Sequence, residues 1–538
     1  MELTAGDKGQ LTAKVDPAGT AVTWSSDKEA IATVDANGLV TAVTVGTAFI
    51  TAKAGDKTAT CEVTVLPTLS TALTVEAITA GKITVTNPKS GMQYSLNGGA
   101  KTAVSGDINV AAGEKVEFYG NGTSITSYDG TSIVGDGDGF KCKVYGNIMS
   151  LVDEEGFADN KELTADNTFK DLFKDNIKLT DISGLLLPAT TLAASCYQNL
   201  FRGCTGLTTL PEKLLPATTL AAACYQNMFQ GCTGLTTLPE KLLPATTLTD
   251  QCYQNMFQGC TGLTTLPEKL LPATTLATQC YRSMFEICTG LTTLPEKLLP
   301  ATGMKSNCYA YMFNGCIGLT TLPEKLLPAT VMATNCYSSM FCQCIGLTTV
   351  SEELLPATTL ANQCYQNMFQ GCASLTTAPK LPATTLAEAC YYNMFNGCAS
   401  LTTVSEELLP ATNLALACYS HMFHGCTGLT TAPALPATDL ANNCYGMMFY
   451  NCSSLTTAPK LPATTLASQC YYGMFENCTS LTTAYVKAAY TNLNDECDRM
   501  FNGCTDASTS TFYSDDAANW KSNFSALSSW QTAGYPTE

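Results

Sequence analysis

The stretch CYQNMFQGCTGLTTLPEKLLPATTL, residues 224–248, recurs in close copies along more than half of the chain. Counted from Cys196, the first cysteine of a copy recurs six times at an interval of 28 residues and then at intervals of 26, 28, 26, 26 and 27. A nearly constant period between about 20 and 50 residues is typical of solenoids, in which each copy forms one coil and stacks on the next. The twelve first cysteines are Cys196, Cys224, Cys252, Cys280, Cys308, Cys336, Cys364, Cys390, Cys418, Cys444, Cys470 and Cys497.

The order of apolar residues within one copy predicts a helix followed by a short strand. Leu220, Cys224 and Met228 follow one another at intervals of four residues, which is typical of the buried face of a helix, and Gly231 can end that helix. Residues 235–238, Leu-Thr-Thr-Leu, are followed by a proline, as expected for a very short strand. We therefore expect an α/β solenoid of about twelve units of 26–28 residues, with a parallel sheet on the concave side and helices outside.

Some positions vary between the copies, whereas others repeat. Short copies replace LTTLPEKLLPATTL by LTTAPKLPATTL, so we expect this segment to connect the stacked elements. Leu-Thr-Thr hardly varies, which suits a repetitive ligand such as a polysaccharide, or no ligand, and recent duplication explains it equally well. The extra aromatic residue of two Tyr-Tyr pairs is a second candidate contact for sugars. The candidate binding residues are Thr208, Thr209, Thr236, Thr237, Thr264, Thr265, Tyr392 and Tyr472.

The chain has 27 cysteines, two in each of the twelve copies and three others. Cys224 and Cys232 lie about 12 Å apart if a helix joins them, whereas a disulfide needs roughly 4.4–6.8 Å between Cα atoms. Equivalent cysteines of neighbouring copies stack about 5 Å apart, but with parallel Cβ directions. We favour buried thiols acting as small apolar side chains, with disulfides and metal binding as alternatives. The predicted core ladder contains Cys204, Cys224, Cys232, Cys252, Cys260, Phe229 and Phe257.

The pattern Phe-x-Gly-Cys-x-x-Leu-x-x-Leu, as in residues 229–238, resembles the BspA-like leucine-rich repeats of bacterial surface proteins. The resemblance covers about residues 185–505. It implies display on the cell surface and binding to host proteins or to other cells. The second cysteine and the Leu-Pro-Ala-Thr-Thr-Leu segment of each copy depart from the common form.

Residues 22–52 resemble a bacterial immunoglobulin-like domain of group 2, with Trp24 for the core, a turn at 35–38 and a strand beginning at Gly46. Such domains imply a spacer or stalk. We expect four parts in the chain. They are an immunoglobulin-like sandwich (1–66), a second β-sandwich (67–148), a leucine-rich-repeat solenoid with an N-terminal cap (149–505) and a C-terminal cap (506–538).

The overall composition argues against several classes of partner. Only 14 % of residues are charged and the net charge is −17, whereas nucleic acids and anionic membranes attract clustered Lys and Arg. No run of 18 apolar residues occurs, so no membrane insertion is expected. No signal peptide is recognisable, and because Met1 directly precedes a predicted strand we expect a trimmed start.

The sequence contains no recognisable catalytic or metal-binding motif. His421 and His424, the two histidines, occupy variable positions, where a solvated surface is favoured over a metal pair. Residues 136–139, Asp-Gly-Asp-Gly, resemble part of a calcium loop without its twelfth-position glutamate, so a plain turn is favoured. We expect no catalytic residue, no cofactor and no bound metal.

These observations favour a non-enzymatic adhesion or binding protein of the cell surface or extracellular space. Its partner is expected to be a surface protein or glycan of a host or bacterium, such as a host glycoprotein, a matrix protein or a polysaccharide. The alternative is a phage or prophage structural protein, a fibre or decoration in a virion that binds the bacterial surface. An enzyme site within 68–148 and ice binding by the threonine rows are further alternatives, and the oligomeric state is left open.

Overall fold

The computed structural model describes residues 1–16, 20–120, 127–491 and 495–536. The chain forms two compact units. The first contains Met1–Glu162, Asn176–Thr190 and Thr209–Pro216, and the second contains Leu163–Asp175, Thr191–Thr208 and Ala217–Glu538.

The first 66 residues form two small sheets. Their strands are β1 (Glu2–Thr4), β2 (Lys8–Gln10), β3 (Thr23–Ser26), β4 (Ala32–Val34), β5 (Leu39–Ala42), β6 (Gly46–Ala54) and β7 (Lys57–Leu66). One sheet has the order β1-β7-β6-β3, with β1 parallel to β7, and the other has the antiparallel order β2-β5-β4. Because alternate residues of a strand point to one face, Ala48 and Ile50 lie buried together with Val63.

The tryptophan and the turn predicted in this part lie against each other. The Gly38 N–H donates to the Asp35 carbonyl at 3.1 Å, and Gly38 has a φ of +81°. Trp24 is half-buried and packs against the core, and a Cβ on Gly38 would lie 2.8 Å from its ring. Glycine is therefore required at position 38 both by the backbone angle and by the tryptophan.

Two further sheets follow in the first unit. Their strands are β8 (Leu73–Ala77), β9 (Gly81–Thr86), β10 (Gln93–Leu96), β11 (Thr102–Ala103), β12 (Asp107–Val110), β13 (Lys115–Tyr119), β14 (Ser132–Asp136), β15 (Cys142–Asn147), β16 (Leu179–Asp181) and β17 (Leu185–Leu186). The larger sheet has the order β11-β10-β13-β8-β15-β16, with β17 also paired to β15, and the smaller has the order β12-β9-β14. The larger sheet thus continues past residue 148 through two parallel strands. A 3-10 helix, Ile148–Leu151, follows β15.

The predicted helix of each repeat copy is wrong. The α-helix found in the described residues is α1 (Ala517–Asn523), outside the repeats, and a 3-10 turn occurs at Glu406–Leu408. In its place, the copy that begins at Cys224 forms consecutive four-residue turns. The Gln226 N–H donates to the Ala223 carbonyl and the Gln230 N–H to the Asn227 carbonyl, both at 3.1 Å. Ala223, Asn227 and Gly231 have φ values of +52°, +56° and +73°.

The remaining N–H groups of these turns bond to the next copy. The Tyr225 N–H donates to the Cys252 carbonyl at 3.1 Å, and the Asn227 N–H donates to the Gln254 carbonyl at 2.9 Å. An α-helix would use all of these donors within one copy, for carbonyls four residues back. The turns form in place of a helix because they let the N–H group of every second residue donate to a carbonyl of the neighbouring copy.

The spacing of buried residues gives the reason for the wrong prediction. Cys224, Met228 and Cys232 are fully buried at intervals of four residues. A helix has about 3.6 residues per turn, so each step of four would rotate the stripe by roughly 40°. Four-residue turns keep the stripe on one side. The buried face was predicted correctly, but the element that carries it was not.

Within the described residues, the predicted parallel sheet of the repeats is formed near their end. Its strands are β18 (Thr457–Leu461), β19 (Thr483–Val486), β20 (Thr511–Tyr513) and β21 (Gln531–Ala533), paired parallel in this order. Further upstream the Leu-Thr-Thr segments make isolated contacts, such as the hydrogen bond from the Thr236 N–H to the Thr208 carbonyl at 3.3 Å. Pro239 follows and has no N–H to donate to a ladder.

The segment after the last copy covers apolar side chains. Helix α1 is followed by a 3-10 helix, Ser525–Leu527. Trp520, Phe524, Leu527 and Trp530, whose spacing predicted a cap, are all buried. The Trp520 indole donates to the Ala488 carbonyl at 3.1 Å. Within the described ranges, no helix has the length and apolar character needed to cross a membrane.

Candidate functional site

Two columns of stacked rings hold the copies in register. Phe229 stacks on Phe257 with ring centroids 5.6 Å apart and planes 4° apart. Tyr225 stacks on Tyr253 at 5.9 Å. All four rings are buried. Since the same contacts recur from copy to copy, side chains on the surface of one copy are repeated at a fixed spacing on the next.

The cysteines predicted for the core ladder lie in the interior. Cys204, Cys224, Cys232, Cys252 and Cys260 are all fully buried, as are Phe229 and Phe257. The second cysteine of each copy donates its Sγ–H to the phenylalanine carbonyl of the preceding copy; for Cys232 and Phe201 this distance is 3.1 Å. All 27 cysteines lie in described residues, and none of them forms a disulfide.

Burial suppresses the chemistry of these thiols. It raises the pKa of Cys232 and of Cys252 to about 12, from an ordinary value near 9. The thiolate is the form that attacks electrophiles and binds metals, so these cysteines are unreactive at neutral pH. Over the described residues, no group of three or more His, Cys, Asp or Glu side chains is arranged to hold a metal ion.

The candidate threonines lie on the surface. Thr208, Thr209, Thr236, Thr237, Thr264 and Thr265 are all exposed, while the leucines beside them are buried. We call the repeated Leu-Thr-Thr hydroxyls the first threonine track. The copies therefore present pairs of hydroxyl groups at equivalent positions, on a backbone fixed by the buried ring columns.

A second row of hydroxyls was missed by the sequence reasoning, which treated its segment only as a connection. Thr246 and Thr247 of the Ala-Thr-Thr segment are exposed, as are Thr274 and Thr275 of the next copy. Thr247 pairs with Thr275 in a parallel bridge, and Thr275 pairs with Gly303 in the following copy. We call this row the second threonine track. The recurrence of Thr-Thr in both segments was the available signal.

The candidate tyrosines do not lie in the threonine tracks. Tyr392 and Tyr472 belong to the four-residue turns and are half-buried. The Tyr392 ring lies 5.3 Å from the ring of His421. The Tyr472 hydroxyl accepts a hydrogen bond from Arg499 at 3.4 Å. The eight predicted binding residues thus fall into two groups on different segments of the copy.

The prediction of solvated histidines is wrong. His421 and His424 are half-buried, their rings lie 5.5 Å apart, and His424 stacks on Tyr450 at 4.6 Å. Ser420 Oγ lies 2.8 Å from His421 Nδ1. Burial and the neighbouring His424 lower the pKa of His421 to about 4. Ring contacts with residues of neighbouring copies remove part of the histidine surface from solvent. The sequence of a single copy does not show these contacts.

The calcium-like fragment is occupied by an ion pair. Asp136 ends β14, and its carboxylate lies 2.9 Å from Lys82 Nζ. The same amine lies 2.8 Å from Asp107. These contacts to Lys82 lower the pKa of both carboxyl groups. A lysine ammonium at this position takes the place that a cation would need.

Residues 20–66 match the family model described as a bacterial Ig-like domain. Residues 278–430 and 393–523 match the model of the BspA type leucine rich repeat region, in six copies. The predicted resemblances to a bacterial immunoglobulin-like domain and to BspA-like repeats are confirmed, whereas the assignment to group 2 stays a prediction. Modules of these two kinds are generally non-enzymatic, and BspA-type repeat proteins are typically surface-associated. A search of curated proteins returned no match.

Proposed function

We propose that this chain is a non-enzymatic binding protein of the cell surface. In this proposal the immunoglobulin-like part is a spacer, and the twelve copies form one continuous stacked array that presents the ligand-binding face. The partner is a host glycoprotein, a matrix protein or a polysaccharide. The BspA-type repeat match and the Ig-like match support the modular arrangement.

The observation that carries the proposal is the regular display of hydroxyl groups on the two threonine tracks. A threonine hydroxyl can donate one hydrogen bond and accept others, as sugar hydroxyls do. Parallel segments repeat at about 4.8 Å, so several copies can contact one extended ligand together. Each contact is weak, but simultaneous contacts raise the overall affinity through effective concentration.

The reactive groups support a binding role over a catalytic one. The cysteines of the repeats are buried, and His421 is half-buried in a stack of rings with a lowered pKa. Catalytic groups need access to substrate and a pKa near the working pH. A nucleophilic hydroxyl needs a neighbouring base that takes its proton. In the described residues, the hydrogen bonds of the threonine-track hydroxyls go to backbone carbonyls and not to such a base.

A binding assay with the full chain tests the proposal. The labelled protein is titrated onto immobilised host matrix proteins, mucin glycans and bacterial capsular polysaccharides, with heat-unfolded protein as the control. We expect saturable binding to a host protein or to mucin. Binding only to bacterial polysaccharide would favour a virion component. Absence of saturable binding to the whole panel would contradict a recognition role and leave a spacer or structural role.

A further inference from the structure

The copies occur in two lengths, and a groove opens where two short copies follow a long one. The long copy contributes residues 404–406, and the two short copies contribute residues 431–438 and 459–462. The groove has a volume of about 1010 Å³. A single short copy between long ones, at residues 376–382, lines a smaller cavity of about 560 Å³. The missing residues thus leave space on the surface, and we call the larger space the C-terminal groove.

A lysine in the C-terminal groove lacks the carboxylate partners that the equivalent lysine of an earlier copy has. The tripeptide Ala-Pro-Lys occurs at 378–380 and again at 458–460. Lys380 Nζ lies 2.9 Å from Glu352 and 3.3 Å from Glu353, which belong to the preceding long copy. The copy that precedes Lys460 is a short one, and it has Ala434 at the position that corresponds to Glu352.

Lys460 and Lys487 line the groove from successive copies, and both side chains are exposed. Among the described residues, neither amine has a carboxylate within ion-pair distance. Lys487 Nζ lies 5.9 Å from the centroid of the Tyr535 ring, which also lines the groove. The two amines form a local cationic site that can take a carboxylate from outside the chain.

The ends of the groove carry the opposite charge. Glu406 lines it on the side of the long copy, and Asp515 lines it beyond Lys487. The Asp515 carboxylate already accepts the backbone N–H of Tyr535 at 3.1 Å. Carboxylates at both ends repel a densely charged polyanion but accept hydrogen bonds from hydroxyl groups. The groove therefore matches a ligand with an isolated negative charge between neutral, hydroxyl-bearing groups.

The other lining residues favour a sugar chain over a peptide. The groove contains five prolines, at positions 433, 436, 459, 462 and 536. Proline has no N–H, so the carbonyls of a bound peptide would find few backbone donors. Two of these prolines are buried, but those at positions 436, 462 and 536 and the Tyr535 ring are partly or fully exposed and offer apolar surface for the C–H faces of sugars. Thr431 and Thr438 are exposed and supply hydroxyl groups along the same wall.

We propose that the C-terminal groove binds an oligosaccharide in which carboxylate-bearing sugars alternate with neutral sugars. Lys460 and Lys487 pair with a sugar carboxylate, and Glu406 and Asp515 accept hydrogen bonds from hydroxyls of the flanking sugars. This assignment rests on the proposed function, a surface-binding repeat protein, and names the ligand class at one place in its array.

Calorimetric titration of the full chain at low ionic strength tests the assignment. The probe is a hyaluronan hexasaccharide, in which glucuronate and N-acetylglucosamine alternate. The comparators are a chitin hexasaccharide, which lacks carboxylates, a heparin hexasaccharide, which is densely charged, and a hexapeptide of alternating glutamate and serine. We expect hyaluronan to bind most tightly. Lys460→Ala and Lys487→Ala should each weaken it about three- to tenfold, whereas the control Lys380→Ala should leave its affinity unchanged.

Several outcomes would overturn the assignment. Equal affinity of the wild type and the Lys460→Ala/Lys487→Ala double variant for hyaluronan would exclude the groove as its site. Tighter binding of heparin than of hyaluronan would contradict a ligand of low charge density. Tighter binding of the peptide would mean that the groove binds a peptide and not a sugar chain. If hyaluronan fails to bind while the protein still binds a member of the matrix and mucin panel, only the groove assignment is contradicted. Failure in both experiments would also contradict the proposed function.

Discussion

At the residue scale, the fold depends on residues that adopt positive φ angles at every fourth position of the turns. Asparagine, glutamine, alanine, serine and glycine occupy most of these positions, and Ile287, Tyr311 and Arg499 adopt the same conformation with φ values of +59°, +59° and +58°. Gly259 has a φ of +72°, and the nearest atom to an added Cβ is 3.9 Å away. Gly262 has no positive φ, but a Cβ there would lie 2.5 Å from the Thr233 carbonyl oxygen.

Substitutions at these two glycines distinguish the cost of an unfavourable backbone angle from the cost of a steric clash. We expect Gly259→Ala to lower the free energy of unfolding by about 1–2 kcal/mol, the usual cost of a left-handed alanine. Gly262→Ala should cost more, because backbone atoms of the neighbouring copy must move apart. Urea unfolding of both variants measures this, with the exposed Thr261→Ala as the control. A smaller effect for Gly262→Ala than for Gly259→Ala would contradict the packing described.

The buried thiols lead to a prediction about pH. Burial raises the pKa of Cys232 and Cys252 to about 12 in the folded chain, while an unfolded thiol titrates near its ordinary value of 9. Only the unfolded state loses these protons between pH 9 and 12, so stability is full below pH 9 and falls as the pH rises through this window. Urea unfolding midpoints should decrease steadily from pH 9 upward.

A thiol reagent gives a second readout of the same burial. In the native protein at pH 8, we expect reaction at Cys61, which is half-buried, and protection of the repeat cysteines. In denaturant without reductant, all 27 thiols should react. Fewer reactive thiols after denaturation would reveal disulfides and contradict the free-thiol ladder.

At the scale of the element, the four-residue turn replaces the helix that the apolar spacing predicted. The sequence predicts the buried residues correctly, since Cys224 and Met228 are fully buried. It does not predict the turns, because half of their N–H groups bond to another copy. A strict period of four residues, unlike a mixture of three and four, was the local sign of this geometry. Far-ultraviolet circular dichroism should accordingly show almost no α-helix, and a strong helical spectrum would contradict the turns.

The ring columns predict opposite effects for two neighbouring aromatic residues. The Tyr281 hydroxyl is buried and has no hydrogen-bond partner. Tyr281→Phe removes this unpaired group and should raise the free energy of unfolding by about 1 kcal/mol. Phe285 stacks between Phe257 and Phe313, each at 5.7 Å, so Phe285→Ala should lower it by about 3–5 kcal/mol. Urea unfolding compares them, and a loss of stability in Tyr281→Phe would mean that its hydroxyl is satisfied.

At the scale of the whole molecule, repetition decides where recognition can occur. The sequence predicted the exposed hydroxyls of the first threonine track, because Thr236 and Thr264 lie between buried leucines. It could not predict the C-terminal groove as a cavity, although two consecutive intervals of 26 residues mark its place. The groove arises from the difference in length between neighbouring copies. Lys460 has no carboxylate partner because the preceding copy has Ala434 at the place where the copy before Lys380 has a glutamate. Such properties belong to pairs of copies and are invisible in one.

The measurement that tests the central claim most directly is the effect of the first threonine track on binding of the full chain. Thr236, Thr264 and Thr292 are replaced together by alanine, and the control replaces Thr233, Thr261 and Thr289, which removes three threonine hydroxyls outside the tracks. Both proteins are titrated onto the matrix and mucin panel. We predict that the track variant binds at least about tenfold more weakly, as expected when three cooperating hydrogen bonds are lost, while the control binds like the wild type. Equal binding of the two variants would contradict recognition by the threonine track.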